Sequence, residues 1–315
     1  MSRRARRLEK PKALHRGSCL AIVSPSSPAD PTTIAAGIEE LRRLGFEVEP
    51  PPPVNPQGYF AGDHRQRTHL FSKPFLERKI DGVVATRGGY GANYLIDFKL
   101  TTSLHGPKCL LGYSDLNILQ LLLLERRHWA GFYGPMAAAG FNHGSGKPEG
   151  YDELSFWLAV GEAKNGWEIP LRGECIFSGS GSGRIVGGCL TLLQSTLATG
   201  WEPDTDGAIL VLEDRGMKPY QVDRALRHLQ QAGKLSRIAG VLLGDFPDCD
   251  AQVPGGPTIP EICRAILGPL RVPVVYGAPI GHTKRPMLTI PLGVRAKLHA
   301  KGEGKLEILE PAVAE

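Results

Sequence analysis

The sequence lacks the patterns of several specialised protein classes, beginning with those built on cysteine. It has no Cys-x-x-Cys pair, and its six cysteines stand singly at positions 19, 109, 175, 189, 249 and 263. Most of them lie inside apolar segments, which indicates buried thiols in a reducing compartment and not a disulfide framework. Histidine and cysteine do not cluster at metal-ligand spacing. We therefore predict no metal site and no cofactor.

Long apolar runs are also missing, and the excess of positive charge is not distributed along the chain. No window approaches the roughly 18 apolar residues of a membrane span, and the apolar residues 19–23 are too few for a signal peptide. These absences predict a cytoplasmic protein without a membrane partner. The net charge is +5, but six basic residues lie within the first twelve positions, which predicts a disordered basic tail over residues 1–17. No basic face interleaved with aromatic residues is present, so we expect no nucleic-acid partner.

The composition that remains is that of an ordinary globular protein. The chain has 315 residues, of which 42% are hydrophobic and 22% charged, and this length favours two domains. Over residues 18–168, short apolar runs alternate with amphipathic stretches, which predicts an N-terminal α/β domain with a parallel sheet. A Gly/Ser-rich segment, "FSGSGSGRIVGG" (177–188), marks a change of character. Strand-like runs dominate after it, so we predict a strand-rich β/α domain over residues 169–315.

The segment "CLLGYSDLNILQLLL" (109–123) places Ser114 at a tight corner between an apolar strand and a helix. Two interpretations compete there. A serine or aspartate before a helix is most often its N-cap. A serine at a strand-turn-helix corner is also the position of the nucleophile in many acyl-transfer enzymes. The segment by itself favours the cap, because caps are far commoner than nucleophiles.

Two further side chains follow apolar strands in the same way. His282 lies behind Gly281 in "VPVVYGAPIGHTKRP", whereas the other eight histidines lie in helices, in polar loops or among charged residues. Glu213 and Asp214 end the apolar strand of "AILVLEDRG", where an unpaired buried carboxylate would be costly. A solvated or structural role is the simpler interpretation of each. Their order along the chain, serine, acid, histidine, is nevertheless one of those found in catalytic triads.

The glycine-rich segment "ATRGGYGANYLID" (85–97) also follows an apolar strand. As a phosphate-binding loop it lacks the Walker lysine, and as a dinucleotide fingerprint it has Tyr94 where a third glycine belongs. Alternatively, its backbone N–H groups form an oxyanion hole beside a nucleophile. The residues alone leave these alternatives open.

Taken together, six blocks of the sequence resemble the LD-carboxypeptidases, a family of serine peptidases that also includes the microcin C self-immunity proteins. The resemblance runs from about Cys19 to about Leu306 and is carried, in chain order, by "RGGYGANYLID", "LLGYSDLNILQ", "FYGPM", "GRIVGGCLTLLQSTLAT", "ILVLEDRGMKPYQVDRALRHL" and "PIGHTKRPMLTIPLG". It implies that Ser114 is the nucleophile, Glu213 the carboxylate and His282 the base. It further implies an oxyanion hole formed by the backbone N–H of Asp115 and that of Gly88 or Gly89.

The resemblance also implies a fold, an assembly and a reaction. The family has an N-terminal parallel α/β domain and a C-terminal β/α domain, is usually dimeric, and divides its triad between the domains. Its cytoplasmic role is peptidoglycan recycling, in which it releases the terminal D-Ala of murein tetrapeptide at an L,D-peptide bond. Arg87, Lys284 and Arg285 are candidates for binding the terminal carboxylate, although a solvated loop charge is the simpler interpretation of each. Cys189 stands where the family commonly has Asn.

Two alternatives remain open at this point. The first is a microcin-immunity-type hydrolase that cleaves a peptidyl-nucleotide amide bond. Such an enzyme would need an aromatic residue on an insertion near the site, and the short segment 253–260 contains no tryptophan. The second is a non-catalytic module that binds a sugar or a nucleotide on a similar frame.

Overall fold

The computed structural model describes residues 7–98, 104–250 and 253–315. These residues form fourteen β-strands: β1 (Cys19–Val23), β2 (Glu47–Glu49), β3 (Gly82–Ala85), β4 (Cys109–Gly112), β5 (Gly131–Tyr133), β6 (Trp167–Pro170), β7 (Glu174–Phe177), β8 (Gly179–Cys189), β9 (Ile209–Glu213), β10 (Gly240–Gly244), β11 (Val274–Ala278), β12 (Ile290–Leu292), β13 (Arg295–Ala300) and β14 (Lys305–Ile308). They also form seven α-helices: α1 (Pro31–Arg43), α2 (His64–Leu76), α3 (Asn117–Arg127), α4 (Glu153–Val160), α5 (Leu190–Ser195), α6 (Pro219–Gln231) and α7 (Ile259–Leu267).

The strands form two sheets. The first has six strands in the order β12-β5-β4-β3-β1-β2, in which β1 to β5 are parallel and β12 is antiparallel to β5. The second has eight strands in the order β6-β14-β13-β8-β9-β10-β11-β7, with a parallel centre from β8 to β11 and antiparallel flanks. A mostly parallel N-terminal sheet and a strand-rich C-terminal sheet confirm the predicted fold class.

The two sheets share a hydrophobic core. One buried cluster contains Leu111 of β4 together with Val211 of β9 and Ile290 of β12. The predicted boundary at residue 169 lies within β6, which pairs with β14 in the second sheet, and β12 returns to the first sheet. The chain therefore crosses between the sheets more than once, and the predicted domain limits stay a prediction.

Local sequence signals account for helix α1. The Asp30 carboxylate accepts hydrogen bonds from the N–H groups of Thr32 (2.9 Å) and Thr33 (3.2 Å), and Pro31 is the first residue of α1. An N-cap followed by proline is a standard helix start. By contrast, α2 was not predicted, because half of the residues that it buries are polar. Its buried residues include Arg67, whose guanidinium donates to the carbonyls of Gly62 (3.1 Å) and Gly91 (2.9 Å).

The Gly/Ser-rich segment becomes the long strand β8. An added Cβ at Gly183 would lie 2.0 Å from the carbonyl oxygen of Gly207, and one at Gly187 would lie 2.2 Å from that of Val211. Glycine is required there because the neighbouring backbone approaches too closely for any side chain. A Gly/Ser-rich composition, which is typical of loops, therefore allows β8 to pack closely against its neighbours in the structure.

The prediction of a disordered tail over residues 1–17 is wrong for residues 7–17, the part that the structure describes. Leu14 is buried, and its N–H donates to the carbonyl of Val160 at 2.7 Å. The N–H of Ala13 donates to the carbonyl of Ala314 at 2.9 Å, and Lys10 forms a 2.8 Å ion pair with Glu310. The apolar residues between the basic ones anchor this segment, which a count of charges does not detect. Residues 1–6 lie outside the described residues.

Candidate active site

Ser114 lies in a strained turn directly after β4. Its φ is 59°, in the left-handed region that non-glycine residues rarely adopt. A 3-10 turn over Ser114–Leu116 follows and leads into α3, and neither this turn nor α3 has a side-chain N-cap. The N-cap interpretation of Ser114 is therefore wrong. The structure instead shows the strand-turn-helix corner in which a strained backbone presents the serine hydroxyl.

The glycine-rich loop packs directly against this serine. An added Cβ at Gly88 would lie 2.6 Å from both Cβ and Oγ of Ser114, and 3.1 Å from the backbone nitrogen of Asp115. The loop is held by Ser27, whose N–H donates to the Gly88 carbonyl (3.3 Å) and whose Oγ accepts from the Tyr90 N–H (3.1 Å). Within the part of the chain that the structure describes, the N–H groups of Gly88 and Gly89 have no acceptor. Free N–H groups beside a hydroxyl are what an oxyanion hole requires.

Glu213 ends β9 as a fully buried carboxylate with three hydrogen-bond donors. Its Oε2 accepts from the backbone N–H of His282 (2.8 Å) and from His282 Nδ1 (2.9 Å). Its Oε1 accepts from the hydroxyl of Tyr133 (2.5 Å). Two glycines leave room for it, since an added Cβ would lie 2.6 Å from Glu213 Cβ at Gly244 and 2.4 Å from Glu213 Cδ at Gly281. The burial of the carboxylate is thus compensated.

The second ring nitrogen of His282, Nε2, points away from Glu213. Because Nδ1 donates to Glu213, the neutral imidazole keeps Nε2 as a free acceptor. Burial by itself would lower the pKa of His282, but the charge and hydrogen bond of Glu213 outweigh it, and the pKa is raised above its ordinary value. The ring of Tyr113 packs edge-on against the imidazole, with 5.0 Å between centroids. The imidazole is therefore held in one tautomer and one orientation.

Ser114 and His282 open on one cleft. Its volume is about 370 Å³, and its wall also contains Ala29, Asp30, Thr33, Arg87, Gly88, Gly89, Tyr113, Met136, Ala138, Ala139 and Arg215. Glu213 lies behind His282, away from this wall. The structure thus gathers every residue that the sequence named for the triad and the oxyanion hole, although they come from four separate segments of the chain: those after β3, β4 and β11, and the end of β9.

Comparison with known proteins identifies the family to which this arrangement belongs. The family model for the LD-carboxypeptidase N-terminal domain matches residues 20–134, and that for the LD-carboxypeptidase C-terminal domain matches residues 182–298. A Bacillus subtilis (strain 168) protein named "Probable murein peptide carboxypeptidase" is 30% identical over 97% of this chain and 96% of its own length. The chain belongs to the LD-carboxypeptidase family.

Solved structures agree with this assignment. The muramoyltetrapeptide carboxypeptidase of Oxalobacter formigenes is 27% identical, with a TM-score of 0.80 over 93% of this chain and 99% of its own. The microcin C7 self-immunity protein MccF, solved in complex with aspartyl sulfamoyl adenosine, has a TM-score of 0.85 over 97% and 99% of the two chains. At 23% identity, this second likeness shows the fold alone. Family membership supports a serine peptidase of the carboxypeptidase type.

In this LD-carboxypeptidase the three cations considered for substrate binding have different surroundings. Arg87 lines the cleft, whereas Lys284 and Arg285 do not. The guanidinium of Arg285 is engaged by Asp245, with Nη2–Oδ1 at 2.5 Å, and Lys284 is 74% exposed. The sequence reasoning missed Arg215, which also lines the cleft and stands two residues after Glu213 in "LEDRG".

The second acid of "LED" has a structural role. Asp214 Oδ2 accepts hydrogen bonds from the N–H (2.9 Å) and hydroxyl (2.6 Å) of Thr191 at the start of α5, and Cys189 Sγ lies 3.5 Å from the same oxygen. The N–H of Cys189 donates to Oδ1 of Asn117 at 3.2 Å. Cys189 at the end of β8 therefore ties α3, the helix that follows Ser114, to the strand that carries Glu213. Among the described residues, no group of three or more His, Cys, Asp or Glu side chains could hold a metal ion.

The raised pKa of His282 predicts the pH dependence of this LD-carboxypeptidase. The imidazole accepts a proton only when neutral, so kcat/KM should fall as the pH drops through its pKa. Because Glu213 raises that pKa, the midpoint of the acid limb should lie above the ordinary histidine value of about 6.5. Measuring kcat/KM across about pH 4 to 9 tests this. A midpoint at or below that value would show that Glu213 does not act on the base as an anion.

Proposed function

We propose that this chain is a serine LD-carboxypeptidase that releases the terminal D-Ala of murein tetrapeptide, a step of cytoplasmic peptidoglycan recycling. The observation that carries the proposal is that Ser114, in its strained turn, and His282, oriented by Glu213, open on the same cleft. The substrate class is supported by the murein peptide named for the Bacillus relative and the muramoyltetrapeptide named for the Oxalobacter structure. The homodimer that the family resemblance implies stays a prediction.

In the proposed acylation, Ser114 Oγ attacks the carbonyl carbon of the residue that precedes D-Ala. His282 Nε2 takes the hydroxyl proton as the new C–O bond forms. Glu213 keeps Nδ1 as the donor and stabilises the imidazolium. The negative charge that develops on the carbonyl oxygen is bound by the N–H of Asp115 and that of Gly88 or Gly89.

The intermediate then collapses and the C–N bond breaks. The imidazolium returns its proton to the departing amino group of D-Ala, which leaves an ester between the peptide and Ser114. Water attacks this ester with His282 again as the base. The C–O bond to Ser114 breaks, and the serine recovers its proton from the imidazolium. No step requires a group other than the residues described above and water.

A carboxypeptidase must also recognise the free carboxylate of its substrate, and we propose that Arg87 does so. Of the two arginines in the cleft wall, Arg215 is paired with Asp248 at 3.2 Å. Arg87 forms no ion pair with any carboxylate in the described part of the chain. It directly precedes Gly88, which packs on Ser114, and it lines the same cleft as Ser114 and His282. An arginine can bind a carboxylate through two parallel hydrogen bonds.

This role predicts a specific interaction between Arg87 and the end of the substrate. The wild type should prefer tetrapeptide acid over tetrapeptide amide by about ten- to hundredfold in kcat/KM, the range of a lost hydrogen bond to a charged group. Arg87→Ala should reduce that preference to nearly none by slowing only the acid, and Arg87→Lys should retain part of it. Arg215→Ala serves as the matched variant and should keep the preference. An undiminished preference in Arg87→Ala would assign the carboxylate to another group.

Digestion of defined peptides, followed by mass spectrometry, tests the proposed activity. Murein tetrapeptide ending in D-Ala should lose that residue, whereas the L-Ala isomer and the pentapeptide ending in D-Ala-D-Ala should persist. Inverting one centre displaces either the methyl group or the scissile carbonyl, and a misplacement of about 1 Å costs on the order of a hundredfold in rate. Comparable rates on the two tetrapeptides would contradict the proposal. Turnover of aspartyl sulfamoyl adenosine in their place would favour the microcin-immunity alternative.

A further inference from the structure

We propose that Tyr133 is a positioning residue for the proposed triad, whose hydroxyl holds the carboxylate of Glu213 from the strand beside the one that leads to Ser114. The inference rests on the proposed serine mechanism and adds a residue that the mechanism has not used. Tyr133 is the last residue of β5 and is fully buried. Its hydroxyl donates to Glu213 Oε1 at 2.5 Å.

The position of Tyr133 follows from the sheet. Strand β5 lies beside β4 with Tyr133 opposite Gly112, two residues before Ser114. The strained turn and the tyrosine hydroxyl therefore end adjacent strands of the first sheet. Glu213 belongs to β9 of the second sheet. One hydroxyl group thus links β5, which lies beside the strand that leads to Ser114, to the strand that ends in Glu213.

The hydroxyl can serve only as a donor to Glu213. Burial first, and then the charge of Glu213, raise the pKa of Tyr133 well above its ordinary value, so the phenol keeps its proton. It occupies Oε1, which leaves Oε2 to the backbone N–H and Nδ1 of His282. Without the hydroxyl, one oxygen of a fully buried carboxylate would lose its donor. The proton affinity of the Glu213–His282 pair should then rise.

Tyr133→Phe tests this role, with Tyr151→Phe as the matched control. Tyr151 is also fully buried and also donates to a carboxylate, Glu40 Oε1 at 2.7 Å, but that carboxylate is paired with Arg43 and is not part of the proposed triad. We expect Tyr133→Phe to lower kcat by about ten- to hundredfold with little change in KM. The acid limb of its pH profile should move to higher pH. Tyr151→Phe should lower only the melting temperature.

A second readout separates this inference from the proposed substrate. The rate at which a fluorophosphonate labels Ser114 depends on the neutral imidazole but on no murein peptide, so its pH profile should show the same upward shift in Tyr133→Phe. If the wild type does not cleave murein tetrapeptide but the labelling profile of Tyr133→Phe still shows this shift, the proposed substrate is wrong and the inference stands.

If Tyr133→Phe does not fold, 3-fluorotyrosine placed at position 133 keeps the shape of the side chain and makes its hydroxyl a stronger donor. The acid limb should then move to lower pH. If Tyr133→Phe folds and its pH profiles match those of the wild type, Tyr133 has only a packing role and the inference is overturned. An acid limb that does not move in the fluorotyrosine protein would overturn it as well.

Discussion

Ser114→Ala should abolish turnover of murein tetrapeptide, with kcat falling on the order of 10⁴- to 10⁶-fold, the loss typical of a missing triad nucleophile. The fold should persist, because the change removes one oxygen atom, and no hydrogen bond of that hydroxyl to another helix or strand has been described. In His282→Ala, kcat should fall by a similar amount, since the attack needs both the hydroxyl and the base. In Glu213→Ala, kcat should fall less, because this residue orients and stabilises the base without handling the transferred proton.

The losses should not add when the substitutions are combined, because triad members act as a unit. Ser236→Ala is the matched control, since this exposed serine hydroxyl donates only to the Gly233 carbonyl at 2.7 Å. Circular dichroism and thermal melting establish that each variant is folded. Turnover close to that of the wild type in any one of the three variants would remove that residue from the mechanism.

The second large effect is expected at Gly88. A methyl group there would lie 2.6 Å from Cβ and Oγ of Ser114, so either the serine or the glycine-rich loop must move. A displacement of about 1 Å at a reacting centre costs on the order of a hundredfold in rate, and Gly88→Ala should lose at least that much in kcat. Gly88 does not have a positive φ, so the substitution changes the space around Ser114 and does not strain the backbone.

Gly106→Ala provides the control for this prediction. A Cβ at Gly106 meets nothing within 4 Å, and this residue also lacks a positive φ. Gly88→Ala should melt somewhat below Gly106→Ala, because its contact with Ser114 must be relieved. Both variants should fold, and only Gly88→Ala should be inactive. Full activity in Gly88→Ala would mean that the loop is not held against the nucleophile during the reaction.

Regular patterns in the sequence predicted much of the fold. The alternation of apolar runs and amphipathic stretches predicted the parallel first sheet. Helix α1 was predicted from apolar residues that recur at helical spacing, Ile34, Ile38, Leu41 and Leu44. Helix α2 escaped prediction because it buries Arg67, a residue type that periodicity counts as exposed. Strand β12 was not separated from β13, because the apolar pattern on the two sides of Gly293 does not show that they belong to different sheets.

The candidate site was less accessible to local reasoning. The choice between cap and nucleophile for Ser114 depends on its φ of 59°, a backbone property that spacing does not encode. Glu213 and Asp214 are adjacent and chemically alike, and only the fold assigns one to His282 and the other to Thr191. The resemblance to a family selected Glu213, the acid that the structure pairs with His282, but it gave Tyr133 no role. The hydrogen bond of Tyr133 to Glu213 arises from the meeting of two sheets and has no signature along the chain.

The central claim is that Ser114 is the nucleophile of a peptidase that recognises murein tetrapeptide. Its most direct test is to label the intact protein with a fluorophosphonate and to map the adduct by mass spectrometry, with and without competing peptide. The account predicts a single adduct on Ser114, formed more slowly with tetrapeptide ending in D-Ala and unaffected by the L-Ala isomer. An adduct on another residue, or a labelling rate that the D-Ala tetrapeptide does not change, would contradict it.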